Sequence, residues 1–149
     1  MNTLIELLSM HEGRKNAPYK DSLGYWTIGV GHLIDMRKGA TLSGIRSIPM
    51  TEDNIDAVLN LDIVEHSAGL FTAAPWVKKL DAVRQAVLID MAFNLGVAGL
   101  MEFKRTLASI QSGDYATAAT QMLQSTWAHQ VGTRATRLAE MMRTGKWPA

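Results

Sequence analysis

Glu12, Asp21 and Thr27 fall within the stretch EGRKNAPYKDSLGYWTIGVGH, where two carboxyl groups and a hydroxyl are set among glycines. Glycoside hydrolysis without a metal generally uses two carboxyl groups. One gives a proton to the leaving oxygen and the other serves the opposite face of the sugar. Glu12 and Asp21 are candidates for these roles because their settings differ. Glu12 is expected near a helix C-terminus, where unsatisfied carbonyls favour the protonated acid. Asp21 opens a turn, where backbone N–H groups and water favour the carboxylate. Thr27 shares a strand face with Gly29 and Gly31, which leaves room for a sugar or a water beside its hydroxyl, and that hydroxyl could share a water with Asp21. Taken singly these signals are weak, since most Asp and Glu are solvated surface groups and strand glycines more often mark bends.

The surrounding patterns say what must position these groups. Thr3 and Glu6 form a T-x-x-E capping box, Leu4, Leu7 and Leu8 repeat at helical spacing, and Gly13 is a natural stop, so a first helix over about 3–12 ends on Glu12. Asp21-Ser22-Leu23-Gly24 reads as a turn. Trp26, Ile28 and Val30 then alternate with Tyr25, Thr27, Gly29 and Gly31, which predicts a small β-hairpin or meander. Thr51 caps a long helix, about 51–71, with Ile55, Val58, Leu59 and Ile63 on one apolar stripe and Leu61, Val64, Ala68 and Phe71 on another. Two stripes suit a helix that joins two packed bodies. Asp81 begins a stretch, Ala82 to Leu95, that is apolar nearly all round and reads as a central helix stopped at Gly96. Helices over about Glu102 to Ser112, Asp114 to Gln124 and Thr133 to Thr144 follow, the first stopped at Gly113 and the last at Gly145. Asp35 to Pro49 fits no element.

The 149 residues are the size of one ordinary domain with a substantial core. Apolar residues at 47% and charged residues at 19% give a globular balance without a charge-rich disordered tract. Lys and Arg are scattered and the net charge is +1, which argues against a nucleic-acid binder with its concentrated basic patch. The absence of cysteine removes disulfides, thiolate metal sites and cysteine nucleophiles, and suits a reducing cytoplasm. His11, His32, His66 and His129 show no metal-ligand spacing, so neither a metal nor a cofactor is expected; the G-x-G of GVGH lacks the rest of a dinucleotide fingerprint. The N-terminus has no cationic leader, and Asp90 and Asn94 interrupt the most apolar run, so neither a signal peptide nor membrane insertion is expected. Nine methionines read as pliable core filler.

The order and spacing E-x8-D-x5-T resembles the catalytic signature of phage-type lysozymes, the T-even phage lysozyme family of glycoside hydrolases. LDAVRQAVLIDMAFNLG is similar to the family's central helix, STWAHQVGTRATRL to its W-x-x-Q…R-A-x-R segment and RTGKW to its C-terminal ending. The stretch from His32 to Thr51 is shorter than in the T-even type. The resemblance implies a lysozyme-like α+β fold in a single domain, 1–149. A small β lobe of about 13–50 would be joined by the long helix to a helical lobe of about 72–149 that includes the first helix, with the active-site cleft between the lobes. It implies that Glu12 protonates the glycosidic oxygen between N-acetylmuramic acid and N-acetylglucosamine in peptidoglycan, and that Asp21 and Thr27 hold the water that attacks with inversion. It further implies sugar contacts at Leu33, Phe93, Thr106 and Gln121, the last two replacing other small polar residues of the family. A monomeric endolysin follows, made in a host bacterial cytoplasm and reaching the wall after holin-type release. Two other readings stand beside it: a lytic transglycosylase, for which Asp21 and Thr27 have no obvious purpose, and a wall-binding module that needs no proton from Glu12.

Three side chains have competing ordinary explanations. Phe93 also fits plain core packing, and Arg134 and Arg137 fit solvated helix charges as well as contacts to an anionic wall polymer. Asp62 lies on the Ile55–Val58–Leu59 stripe, where an isolated carboxylate is costly to bury, and His32 is the partner expected for it.

Overall fold

The computed structural model describes residues 1–20, 26–30, 32–33 and 51–148, without the side chains of 16–20, 26, 28, 29, 32 and 33. Asp21, the turn at 21–24 and Asp35 to Pro49 lie outside the described residues. The described part is mostly helical and carries one three-stranded sheet.

The first helix, α1 (Leu4–Glu12), begins after Thr3 and ends before Gly13, whose φ of 75° stops it and whose N–H donates to the Ser9 carbonyl at 2.9 Å. Glycine enters this left-handed region without a Cβ clash, which is why the helix ends there. The sheet is an antiparallel meander of β1 (Lys15–Lys20), β2 (Trp26–Gly29) and β3 (His32–Leu33). Lys15 faces Gly29 and Tyr19 faces Thr27, so the register slips between Lys15 and Tyr19. Pro18 lies in that slip and has no N–H to give the ladder, the usual place for a strand proline. The alternation at Trp26 to Val30 thus meets a strand as expected.

The long helix α2 (Glu52–Ala73) starts behind Thr51, whose Oγ1 accepts the Asn54 N–H at 3.1 Å. Its first stripe is buried through Ile55, Leu59 and Asp62, whereas Leu61 at 70% and Val64 at 66% are exposed, so the second stripe is not a continuous packed seam. A 3-10 turn, Pro75–Lys79, leads into α3 (Ala82–Met101). Asp81 caps α3 by accepting the Arg84 N–H at 3.0 Å, and Val83, Ala86 to Ala92 and Leu100 are buried. Gly96 takes φ 75° inside it, so the helix breaks where the stop was expected and a short turn continues to Met101. By length and composition α3 meets the requirements of a membrane span, which the sequence reading did not expect, while half of that window is buried inside the protein.

Beyond it come α4 (Lys104–Gln111), α5 (Tyr115–Leu123), α6 (Thr126–Val131) and α7 (Thr133–Thr144). The span α6 was not foreseen; Ser125 caps it, its Oγ accepting the Ala128 N–H at 3.2 Å, and Gly132 ends it at φ 58°. Helix α5 packs on α4 and α7, and α7 also packs on α3 and α6. Met91, Met122, Met141 and Met142 are buried among these helices.

The chain divides into two compact units, one of Ile5–Val64 and one of Met1–Leu4 with Glu65–Ala149. In the first, Leu7, Leu8, Val30, Ile55 and Leu59 are buried. In the second, the core runs along α3, α5 and α7.

Candidate active site

Within the unit Ile5–Val64, Glu12 is the last residue of α1 and is half-buried. Thr27 sits on β2, the middle strand, opposite Tyr19 on one side and Leu33 on the other. The expected sugar-contact residue Leu33 is therefore a register neighbour of Thr27. Thr27 is only 3% exposed, so its hydroxyl is not the open group that the neighbouring glycines suggested. Asp21 lies outside the described residues, so the described part of the proposed catalytic set is Glu12 and Thr27. Asp62 is buried as its place on the apolar stripe required, and it makes polar contact; the side chain of its expected partner His32 lies outside the described residues.

Arg14 follows this helix end and forms a small ionic cluster. Its Nε and Nη2 donate to Glu52 Oε2 at 3.1 and 2.6 Å, its Nη1 donates to Ser9 Oγ at 3.1 Å, and Nη1 lies 2.9 Å from Asp56 Oδ1. The hydrogen-bonded Glu52 carboxylate, followed by Asp56, raises the Arg14 pKa above its ordinary value, against the opposing effect of burial.

In the second unit, Thr106 and Gln121 come together. Both line a cavity of about 470 Å³ with Phe103, Lys104, Arg105 and Trp127. Thr106 is buried, and Gln121 Oε1 accepts a hydrogen bond from Ser109 Oγ at 3.0 Å, which fixes the amide. The Trp127 indole N–H donates to Asn94 Oδ1 at 2.6 Å, and its ring meets Phe103 edge-on at 5.9 Å. Phe93, one residue before Asn94 on α3, lies outside this cavity wall. Its ring stacks on His66 with centroids 4.3 Å apart. Arg134 Nε donates to Asp90 Oδ1 at 2.9 Å, and Asp90 is fully buried, so Arg134 is an internal ion-pair partner rather than a solvated charge. Arg137 lines a groove of about 590 Å³ beside Glu140 and Trp147.

The sequence reading missed Arg14, Asn94 and Trp127 as positioning groups. Asn94 carried a usable signal: an amide interrupting an apolar run needs a hydrogen-bonding partner, by the argument already applied to Asp62. Arg14 carried none, because Glu52 is 38 residues away.

Residues 9–143 match the family model described as phage lysozyme. Over 97% of this chain and 96% of that protein, the sequence is 32% identical to Probable T4-type lysozyme 1 of Dictyostelium discoideum. With the same coverage it is 28% identical to Probable T4-type lysozyme 2 of that organism. It is 31% identical to the Pre-baseplate central spike protein Gp5 of Enterobacteria phage T4, over 96% of this chain and 28% of that protein.

Proposed function

The chain belongs to the phage lysozyme family, and from that premise we propose that it hydrolyses the β-1,4 bond between N-acetylmuramic acid and N-acetylglucosamine in bacterial peptidoglycan, with inversion. In this reading Glu12 gives its proton to the glycosidic oxygen as the bond to the anomeric carbon breaks. A water held by Asp21 and Thr27 attacks that carbon from the opposite face and passes its proton to Asp21. Two products leave, one with a new reducing end of inverted configuration. Leu33, Phe93, Thr106 and Gln121 contact the sugars. The fold proposed with this activity is the lysozyme-like α+β plan, acting as a monomer.

The observation that carries the reading is the place of Glu12. A half-buried carboxyl on the last turn of α1 shares one compact unit with a buried Thr27 on β2. Glu12→Gln keeps the shape and removes the transferable proton, so wall lysis should fall by roughly 10²–10⁴-fold while the fold persists. Turbidity clearing measures the loss, and near-normal clearing by the folded variant would falsify the assignment. Mass spectrometry of digested peptidoglycan separates the alternatives: reducing muramic ends support hydrolysis, anhydro ends a transglycosylase, and uncut polymer a binding module.

A further inference from the structure

The last residue of a helix is secured on one side only: its N–H joins the ladder, whereas its carbonyl is among the last four that have no partner there. Glu12 holds that place in α1, and the left-handed Gly13 turns the chain into β1. A proton donor has to be held within about 0.5 Å of its productive position. A clamp just past the end of the helix would fix the backbone that carries it, beside the contacts Glu12 itself makes.

Arg14 has the geometry to do so. Ser9 lies one turn before Gly13, its carbonyl accepts the Gly13 N–H at 2.9 Å, and its hydroxyl accepts from Arg14 Nη1 at 3.1 Å. Segment 9–14 is thus closed on itself twice, once through backbone and once through the guanidinium, with Glu12 inside the closure. The same guanidinium reaches the start of α2. It bonds Glu52 Oε2 at 2.6 and 3.1 Å and the Glu52 carbonyl at 3.5 Å, and it pairs with Asp56 at 2.9 Å. Glu52 and Asp56 stand four residues apart on one helix face, where two carboxylates repel unless a cation lies between them. The planar fork of arginine hydrogen-bonds the hydroxyl and Glu52 together while its charge stands beside Asp56. All of these residues belong to the unit Ile5–Val64.

We propose that Arg14 is the positioning residue for Glu12, locking the end of α1 to the first two turns of α2 so that the acid is presented in one place. The proposal rests on the reading of Glu12 as the general acid. Arg14→Met removes the fork and keeps an apolar stem. Displacement of a reacting group by about 1 Å can cost 10²-fold in rate, so kcat on peptidoglycan should fall about 10- to 100-fold, with KM unchanged within about twofold. Arg14→Lys, a point charge without the fork, should recover part of the loss. If Arg14→Met does not fold, the Glu52→Gln, Asp56→Asn double variant loosens the same clamp while keeping Arg14, and its kcat should fall in the same direction.

Wild type and Glu12→Gln are assayed alongside. A silent wild type, or an active Glu12→Gln, brings down the underlying reading of Glu12 and the clamp with it. An active wild type, a silent Glu12→Gln and an undiminished kcat in folded Arg14→Met overturn the clamp alone. So does a loss confined to KM, or one that only tracks the unfolded fraction measured by circular dichroism at the assay temperature.

Discussion

The places of Glu12 at a helix end and Thr27 on a strand were legible in the sequence because each is defined by neighbours a few residues away: a capping box and a glycine stop for one, a period-two alternation for the other. The surroundings of Arg134 were not, because its partner Asp90 is 44 residues distant and no local pattern marks the pair. Two predictions belong at this scale. If Asp21 and Thr27 hold the attacking water, Asp21→Asn and Thr27→Val should each lower kcat more than they raise KM, in steady-state assays on peptidoglycan fragments. A rise in KM alone would make either residue a binding contact. The second concerns Asp90, fully buried and bonded by Arg134 through Nε at 2.9 Å. Arg134→Met leaves a carboxylate buried without this guanidinium and should cost about 3–5 kcal/mol, while Asp90→Leu combined with Arg134→Met should cost much less. Urea unfolding of the single and double variants measures both, and equal losses would mean that burial of the charge is not the source of the penalty.

At the scale of elements, caps and stops were the most readable features. Thr51, Asp81 and Asp114 each accept the N–H three residues on, and Gly13, Gly96, Gly113 and Gly145 all take positive φ where a helix was expected to end. The six-residue α6 was missed because so short a helix shows less than two turns of apolar period, although Ser125 marks its start. Exposure of Leu61 and Val64 shows the other failure: a stripe of apolar residues states which side chains could be buried, not which are. Asp114 offers a test of a cap by pH. Its hydrogen bonds with Thr117, the side-chain one first and then the backbone one, lower its pKa below the ordinary Asp value. A carboxylate with a depressed folded pKa stabilises fully above its unfolded pKa, near 3.9, and the contribution disappears as pH falls through the folded value. Asp114→Ala should therefore lower the Tm at pH 7, and the gap from wild type should shrink below about pH 4 as the capping carboxylate of wild type is protonated. Asp114→Asn, still a good cap, should stay closer to wild type throughout. A gap that does not change with pH would show that the charge contributes nothing at this cap.

Across the whole molecule, contacts far apart in sequence close the helical unit, and these were the least visible beforehand. Arg84, in the first turn of α3, donates from Nε to the Met142 carbonyl at 2.7 Å and from Nη2 to the Arg143 carbonyl at 3.1 Å. It also pairs with Asp81 at 3.1 Å and lies over the Tyr115 ring at 3.6 Å. One guanidinium thus satisfies terminal carbonyls of α7, holds the start of α3 and covers the start of α5. Gly145 ends α7 at φ 69°, and a Cβ placed there would stand 2.7 Å from Arg84 Nη1. A free arginine tip would swing aside at little cost, but this one is tied at several points, so Gly145→Ala meets both backbone strain and a fixed neighbour. Left-handed geometry costs a non-glycine residue about 1–2 kcal/mol, and the contact should add about 1 kcal/mol, within the range for neighbouring sites. Arg84→Met releases the carbonyls and removes the obstacle together. In that background the cost of Gly145→Ala should fall back to the backbone strain alone, so the double variant should be more stable than the sum of the two singles predicts. Chemical denaturation of all four proteins completes the cycle. Strict additivity would mean that the guanidinium yields to the new methyl group, and that Arg84 holds the end of α7 less firmly than its hydrogen bonds indicate.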